Sequence, residues 1–369
     1  MAEWTGIINA TAPKYLKGAA DQTIRKRLVL RLLRENGRIQ MNESSYQCTW
    51  DLEYSQPDVR QYGDAGDQTF SAHDALRQLT LDWRGYTVTD RMTKKQELMN
   101  KGIYAIVNLY DTKIQRMTKA LTDTFGGEIY VDGNASGNEN RLHGLESFLD
   151  DDNATVAGDK VARPSDTYAG RSTQLGAISG SWTSALGTGN FPNATIATDW
   201  PSGTGDVEYD FMSPKLINWS STAWKTGGTT FEENCERAMR QTVIWLTTTG
   251  GKEGRPTCFL LSSDLFGDFQ NFQAARNRVV VPHKEAQDLG FADALNFDGV
   301  MVKYEYNCPP NTGYALNVNE MQLSSLDSVL FRPDGPEWDI ESKSYLFELG
   351  FFGNMRFNPK HFAKLYNYA

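Results

Sequence analysis

The sequence is poor in the residues that carry most protein chemistry. Its 369 residues include four cysteines and four histidines. Cys48, Cys235, Cys258 and Cys308 lie far apart, which excludes a C-x-x-C pair for zinc or dithiol work. They read as reduced, partly buried thiols of a cytoplasmic protein. His73, His143, His283 and His361 fall in separate segments, so a two-histidine metal helix is excluded too. No run approaches the ~20 apolar residues that span a bilayer; the longest, 102–110, stops at Asp111. The first residues lack the basic and apolar regions of a secretory leader, so the expectation is a soluble chain with no route of export.

Fragments of catalytic motifs occur without their companions. Gly187-Thr188-Gly189 is not followed by Gly-Lys-Ser/Thr, which excludes a standard phosphate loop. The serine between Gly176 and Gly180 stands one position late for a nucleophile elbow, and Lys225-Thr226-Gly227 lacks its partner motifs. Asp150-Asp151-Asp152-Asn153 has neither the central glycine nor the distal glutamate of a calcium loop. The sequence therefore offers no catalytic residue, no metal ligand set and no cofactor site. It points to a structural or binding protein.

Aromatic residues, by contrast, make up 12% of the chain, with 9 Trp, 16 Tyr and 18 Phe. They bury enough area for a substantial core, and the length suits two or three domain-sized units. The net charge of −9 argues against a general nucleic-acid coat. Charge is not evenly spread. In residues 1–38, eight cations (Lys14, Lys17, Arg25, Lys26, Arg27, Arg31, Arg34, Arg38) face three acids. Within them, 23–33 reads as a basic amphipathic helix with Ile24, Leu28, Leu32 and Leu33 on one side. It is either a solvated helix of its own domain or an arm for an acidic partner.

From 39 to 90 the pattern turns to strands. Tyr46, Cys48, Trp50, Leu52 and Tyr54 alternate with polar residues, and so do Leu79, Leu81 and Trp83. The polar stretch 55–75 between them predicts a long hairpin with an irregular tip. Its apolar face must lie on something, its own domain or a neighbouring subunit. Next, Met99, Ile103, Ile106, Tyr110, Ile114, Met117, Leu121 and Phe125 form a stripe at helical spacing. This predicts one helix over 91–125, capped by Asp90 and stopped by Gly126-Gly127. The Gly-, Ser-, Thr- and Asn-rich stretch 128–228 suits short strands and loops. After it come a capping box at Thr230 and Glu233 with a helix, a strand over 258–261, a helix toward Ala275, and strands at 300–304 and 314–318.

This order of segments resembles the major capsid (coat) protein of tailed bacteriophages, the Hong Kong 97-like fold shared with encapsulin compartments. Local phrases in the same order are similar to coat-protein ones: Tyr130-Val131-Asp132-Gly133 after the helix, Gly144-Leu145-Glu146-Ser147, Tyr168-Ala169-Gly170, Ser213-Pro214-Lys215-Leu216 and Arg255-Pro256-Thr257-Cys258. Leu289-Gly290-Phe291, Phe297-Asp298-Gly299-Val300, Cys308-Pro309, Tyr314-Ala315-Leu316-Asn317 and Asn358-Pro359 continue it. The resemblance spans nearly the whole chain, apart from the long polar stretch at about 150–228. It implies an α+β fold with an N-terminal arm (1–38), an extended β-hairpin or E-loop (39–90), a peripheral domain with a long spine helix (91–228), an axial α/β domain (229–338) and a C-terminal return to the peripheral domain (339–369).

The function implied is self-assembly as pentamers and hexamers into an icosahedral phage head around double-stranded DNA. The virion capsid would assemble in the bacterial host cytoplasm. Partners implied are further copies of the chain, a separate scaffolding protein, a portal, a decoration protein and packaged DNA, with no membrane. The candidate assembly residues are Arg25, Arg27, Arg31 and Arg34 in the arm, and Tyr46, Trp50, Leu52, Tyr54, Leu79, Leu81 and Trp83 in the hairpin. Asp58, Asp64 and Asp67 mark its acidic tip. Each has core packing or a solvated face as its alternative. Some relatives fuse their shells through a hairpin lysine. Here no lysine occurs between Lys26 and Lys94, so non-covalent docking is expected. Two other readings are an encapsulin-like shell holding cargo enzyme and a carbohydrate-binding or adhesion protein.

Overall fold

The computed structural model describes residues 28–53, 61, 70, 72, 76–99, 103–151, 160–162, 164–173, 212–224, 228–276 and 295–367. In chain order the elements are α1 (Leu28–Glu35), β1 (Ile39–Gln40), β2 (Cys48–Glu53), β3 (Leu76–Leu81), β4 (Arg84–Thr93), α2 (Lys94–Met99) and α3 (Ile103–Glu128). Then come β5 (Val161–Ala162), β6 (Thr167–Tyr168), β7 (Arg171–Ser172), β8 (Lys215–Asn218), α4 (Phe231–Gly250), β9 (Cys258–Leu261) and α5 (Ser263–Arg276). The series closes with β10 (Leu295–Phe297), β11 (Val300–Tyr304), β12 (Gly313–Leu316), β13 (Met321–Ser325), β14 (Arg332–Asp339), β15 (Ser344–Phe357) and β16 (Ala363–Tyr366). They group into two compact units, each assembled from separated stretches of chain.

The first unit takes residues 28–46, 82–146 and 318–357. Its sheet is built around β15, which pairs antiparallel with β4 over ten residues, from Ser344↔Thr93 to Gly353↔Arg84. The same strand pairs with β14 on its other side and with β13 further along, and β13 takes β1 at its edge. Alternation along β15 sends Phe347, Leu349, Phe351, Met355 and Phe357 into the core. Helix α3 covers that face with Ile114, Met117, Leu121 and Phe125. Phe125 stands edge-on to Phe351 at 4.7 Å and to Phe331 at 5.5 Å.

The second unit takes residues 47–81, 147–317 and 358–367 of the described chain. Its seven-stranded sheet runs in the order β10-β11-β9-β12-β16-β8-β5. Here β9 and β11 are parallel, joined by a crossover containing α5. Helices α4 and α5 bring Phe231, Ala238, Met239, Trp245, Leu265 and Phe269 against Phe259, Val302, Ala315 and Leu365 of the strands. The expected capping motif starts α4: Thr230 donates through its backbone N–H and its hydroxyl to Glu233 Oε2, at 3.3 and 2.7 Å.

Three expectations need correction. The spine helix does not begin at Arg91. Residues 84–93 are a strand because β15 supplies a full ladder for them, and Asp90, expected as a cap, lies within β4 and accepts from Lys113 Nζ at 2.9 Å. Nor do Gly126 and Gly127 lie beyond the helix end: they fall in its last turn, and the helix stops one residue later, at Glu128. The hairpin is shorter than 39–90, since β1 and β4 belong to the other sheet and Trp83 lies beyond β3. The contact units also divide the chain differently from the sequence segments. Strand β8 from 91–228 and β16 from 339–369 lie in the sheet of β9, whereas β13 and β14 from 229–338 lie in the sheet of β4.

Candidate assembly surfaces

The arm helix α1 is anchored rather than free. Leu28, Val29, Leu30, Leu32 and Leu33 are buried, and the helix packs next to β13. Arg31 Nε donates to Glu35 Oε1 at 2.8 Å, one turn along the same helix. Arg34 is exposed. Arg25 and Arg27 lie outside the described residues.

In the hairpin, β2 and β3 pair in the register Cys48↔Leu81, Trp50↔Leu79 and Leu52↔Arg77. These six side chains share one face. Burial falls along it: Cys48, Leu79 and Leu81 are buried, and Trp50, Leu52 and Arg77 half-buried, while Leu76, paired with Glu53 on the opposite face, is exposed. The base of the ribbon therefore docks on its own unit. The Trp50 indole donates to Asn358 Oδ1 at 3.3 Å, and its ring lies 6.2 Å from Tyr168. Trp83 sits in the other unit, its indole donating to the Ser45 carbonyl at 3.0 Å. Tyr46 is 95% exposed and Phe70, in the tip region, 91%. Tyr54, Asp58, Asp64 and Asp67 lie outside the described residues.

Sequence reading missed a second surface on the β4–β15–β14 sheet. Its inner face is core, but the outer face presents Leu346, Glu348 and Phe352 of β15 to solvent. Phe352 lies over Gly85, where an added Cβ would approach its ring to 2.8 Å. At the end of the same sheet, Trp338 stands edge-on to Tyr345 with centroids 4.8 Å apart. The following turn is pinned by Asp339, which accepts from the N–H groups of Glu341 and Ser342, and it projects Ile340, 78% exposed. The available signal was the imperfect alternation of 344–357, where large apolar residues fall on both faces.

The electrostatics of the first unit concentrate at the end of α3. Glu128 is buried at the helix C-terminus, where the macrodipole disfavours a carboxylate. Arg141 compensates it, and the Tyr86 hydroxyl donates to it at 2.7 Å while accepting from the Leu142 N–H. Burial first, then the hydrogen bond to Glu128, pushes the Tyr86 phenol well above its usual range. His143 is pushed down to about 4, by burial first and then by Arg84, against an opposing pull from Asp82. Among the described residues no group of three or more His, Cys, Asp or Glu is placed to hold a metal. No described helix is long and apolar enough to cross a membrane.

No family model matches the chain, and no curated protein matches it. Solved structures do. The chain is similar to the capsid asymmetric unit of cyanophage A-1(L), with 14% identity over 89% of this chain and 90% of that one and a TM-score of 0.55. It is similar also to the capsid of the empty GTA particle, with 10% identity over 93% and 91% of the two chains and a TM-score of 0.52. The chain thus has the α+β, Hong Kong 97-like fold of tailed-phage capsid proteins along nearly its whole length.

Proposed function

We propose that this chain is the major capsid protein of a tailed phage, a structural subunit that forms pentamers and hexamers and closes into an icosahedral shell around double-stranded DNA. The observation that carries the reading is a capsid fold shared over about nine-tenths of both chains. The surfaces agree with it. A shell is paved by contacts distributed over several neighbours, and the chain presents a hairpin whose described base packs on its own unit, an exposed sheet face and a basic segment ahead of α1. A separate scaffolding protein, a portal and a decoration protein are the partners this role implies, with the virion as its place and the host cytoplasm as the site of assembly. The arm residues Arg25, Arg27 and Arg34 and the tip carboxylates Asp58, Asp64 and Asp67 are proposed contacts to neighbours. Arg31, paired within its own helix, and Leu79, Leu81 and Trp50, packed at the base, are proposed to hold those contacts in place. Neither the cargo-holding shell nor the glycan-binding reading gains a supporting feature among the described residues.

Electron microscopy of the expressed chain, alone and with its scaffolding protein, tests the reading. Closed shells are expected. A stable monomer at high concentration in the presence of the scaffold overturns it.

A further inference from the structure

On the outer face of the first unit's sheet, the register shift between Asp334 and Glu337 takes Gly335 and Pro336 out of the β14–β15 ladder. The result is a trough of about 800 Å³ lined by Thr89 and Arg91 of β4, Asp334 and Glu337 of β14, and Leu346 and Glu348 of β15, among others. Its layout follows from the register. Glu337, Leu346 and Arg91 form one row across the three strands, and Asp334, Glu348 and Thr89 form the next. An exposed leucine is thus ringed by three carboxylates and one guanidinium. Asp334 has a loose ion pair with Arg332 at 3.7 Å. Among the described residues, no hydrogen bond or ion pair reaches the side chains of Glu337 and Glu348.

The complementary chemistry lies elsewhere in the same sequence. Residues 14–27 carry Lys14, Lys17, Arg25, Lys26 and Arg27 against Asp21 alone, and Tyr15 and Leu16 stand between the two lysines. Fully extended, these residues reach about 45 Å, enough to leave one subunit and cross onto another. We propose that the trough is the receptor for residues 14–27 of a second copy of this chain, with Glu337 and Glu348 holding the cations and Leu346 taking the apolar pair. The identity of the partner as a second copy rests on the shell reading above; the recognition chemistry does not. Solvent-facing charge contacts of this kind set specificity and encounter rate and weaken with salt.

Two experiments on the full chain test this. In the first, a fluorescein-labelled peptide of residues 10–27 is titrated with a chain whose own segment is reversed (K14E, K17E, R25E, R27E), followed by anisotropy. Saturable binding that weakens as sodium chloride is raised is expected. E337K/E348K should weaken it about tenfold or more and E337Q/E348Q less, because reversal adds repulsion to lost attraction. A control reversal of exposed carboxylates on the hairpin, D51K/E53K, should leave it unchanged. Equal binding to the E337K/E348K and unaltered troughs, or none that saturates, overturns the proposal. In the second, sedimentation compares the tail-reversed chain, the E337K/E348K chain and their mixture. Association recovered only on mixing supports docking between copies, whereas no recovery overturns it. Peptide binding through Glu337 and Glu348 by a chain that never assembles would support the trough and sink the shell reading. Normal shells from E337K/E348K, together with no saturable peptide binding by the unaltered trough, would do the reverse.

Discussion

Arg141 and Glu128 form a forked ion pair at the end of the spine helix. The Arg141 Nη2 lies 2.7 Å from Glu128 Oε1, and Nε lies 3.1 and 3.2 Å from the two carboxylate oxygens. The carboxylate is buried and the guanidinium half-exposed, so one partner depends on the other far more than the reverse. The pair ties the helix end to the loop that doubles back beneath it, where the Leu145 N–H donates to the Ile129 carbonyl at 2.7 Å.

Removing the cation alone strands a buried charge at the unfavourable end of a helix dipole. Arg141→Ala should cost about 2–3 kcal/mol, read as a lower urea midpoint at unchanged m-value. Adding Glu128→Gln should recover part of that loss. An additive double mutant would show that the two groups do not depend on each other.

His143 predicts an acid limb. Its folded-state value, about 4, lies below the ordinary 6.5, so the unfolded chain takes up this proton first. The stability involved is fully present above pH 6.5 and is lost as pH falls toward 4, amounting to roughly 3 kcal/mol over that interval. Thermal unfolding between pH 7 and 4 should show the slope, and His143→Gln should flatten it.

Two glycines near the same helix end should respond in opposite directions. A Cβ at Gly144 would stand 2.5 Å from the carbonyl oxygens of both Glu128 and Ile129, which are backbone and cannot swing aside. One at Gly127 would meet nothing within 4 Å. Gly127→Ala should raise the melting temperature by the helix-propensity gain of about 0.5–1 kcal/mol, and Gly144→Ala should lower it.

All four cysteines are buried, and burial pushes the Cys258 thiol up to about 12. Buried from the reagent, none should react with Ellman's reagent at neutral pH until the chain unfolds. Rapid titration of even one thiol in the folded protein would contradict this.

The hairpin carries no lysine between Lys26 and Lys94, so no amine is available on it to form an amide with a neighbour. Mature shells boiled in detergent should release single chains of 41.4 kDa. A ladder of multimers that resists reductant would refute non-covalent docking.

The sequence pattern made legible those elements whose period is local. The stripe Ile114–Met117–Leu121–Phe125, the alternation from Cys48 to Leu52 and the apolar run of β9 can each be read within one window, and each is present. Strand β4 does not emerge as such because Asp90 reads as a helix cap and starts the helix at Arg91, although Thr87, Val88 and Thr89 are β-branched. Trp50 reads from the sequence as either a contact to a neighbour or part of its own domain's core. It packs at home because Asn358, 308 residues later, supplies its acceptor. The trough around Leu346 was invisible for the same reason. Its rows join residues 91, 337 and 346 through strand register, which no single window contains.

Both compact units depend on late segments of the chain. The strand formed by 344–357 is central to one sheet, and the strand formed by 363–366 sits between β12 and β8 in the other. Until those residues have emerged from the ribosome, neither sheet can close, and the inner faces prepared earlier stay open to water and to other nascent chains. Synthesis at about 5–20 residues per second makes that interval tens of seconds long for the first strands. A copy cut before residue 344 lacks both closing strands, so the order of the strands delays completion of either sheet until the chain is nearly finished.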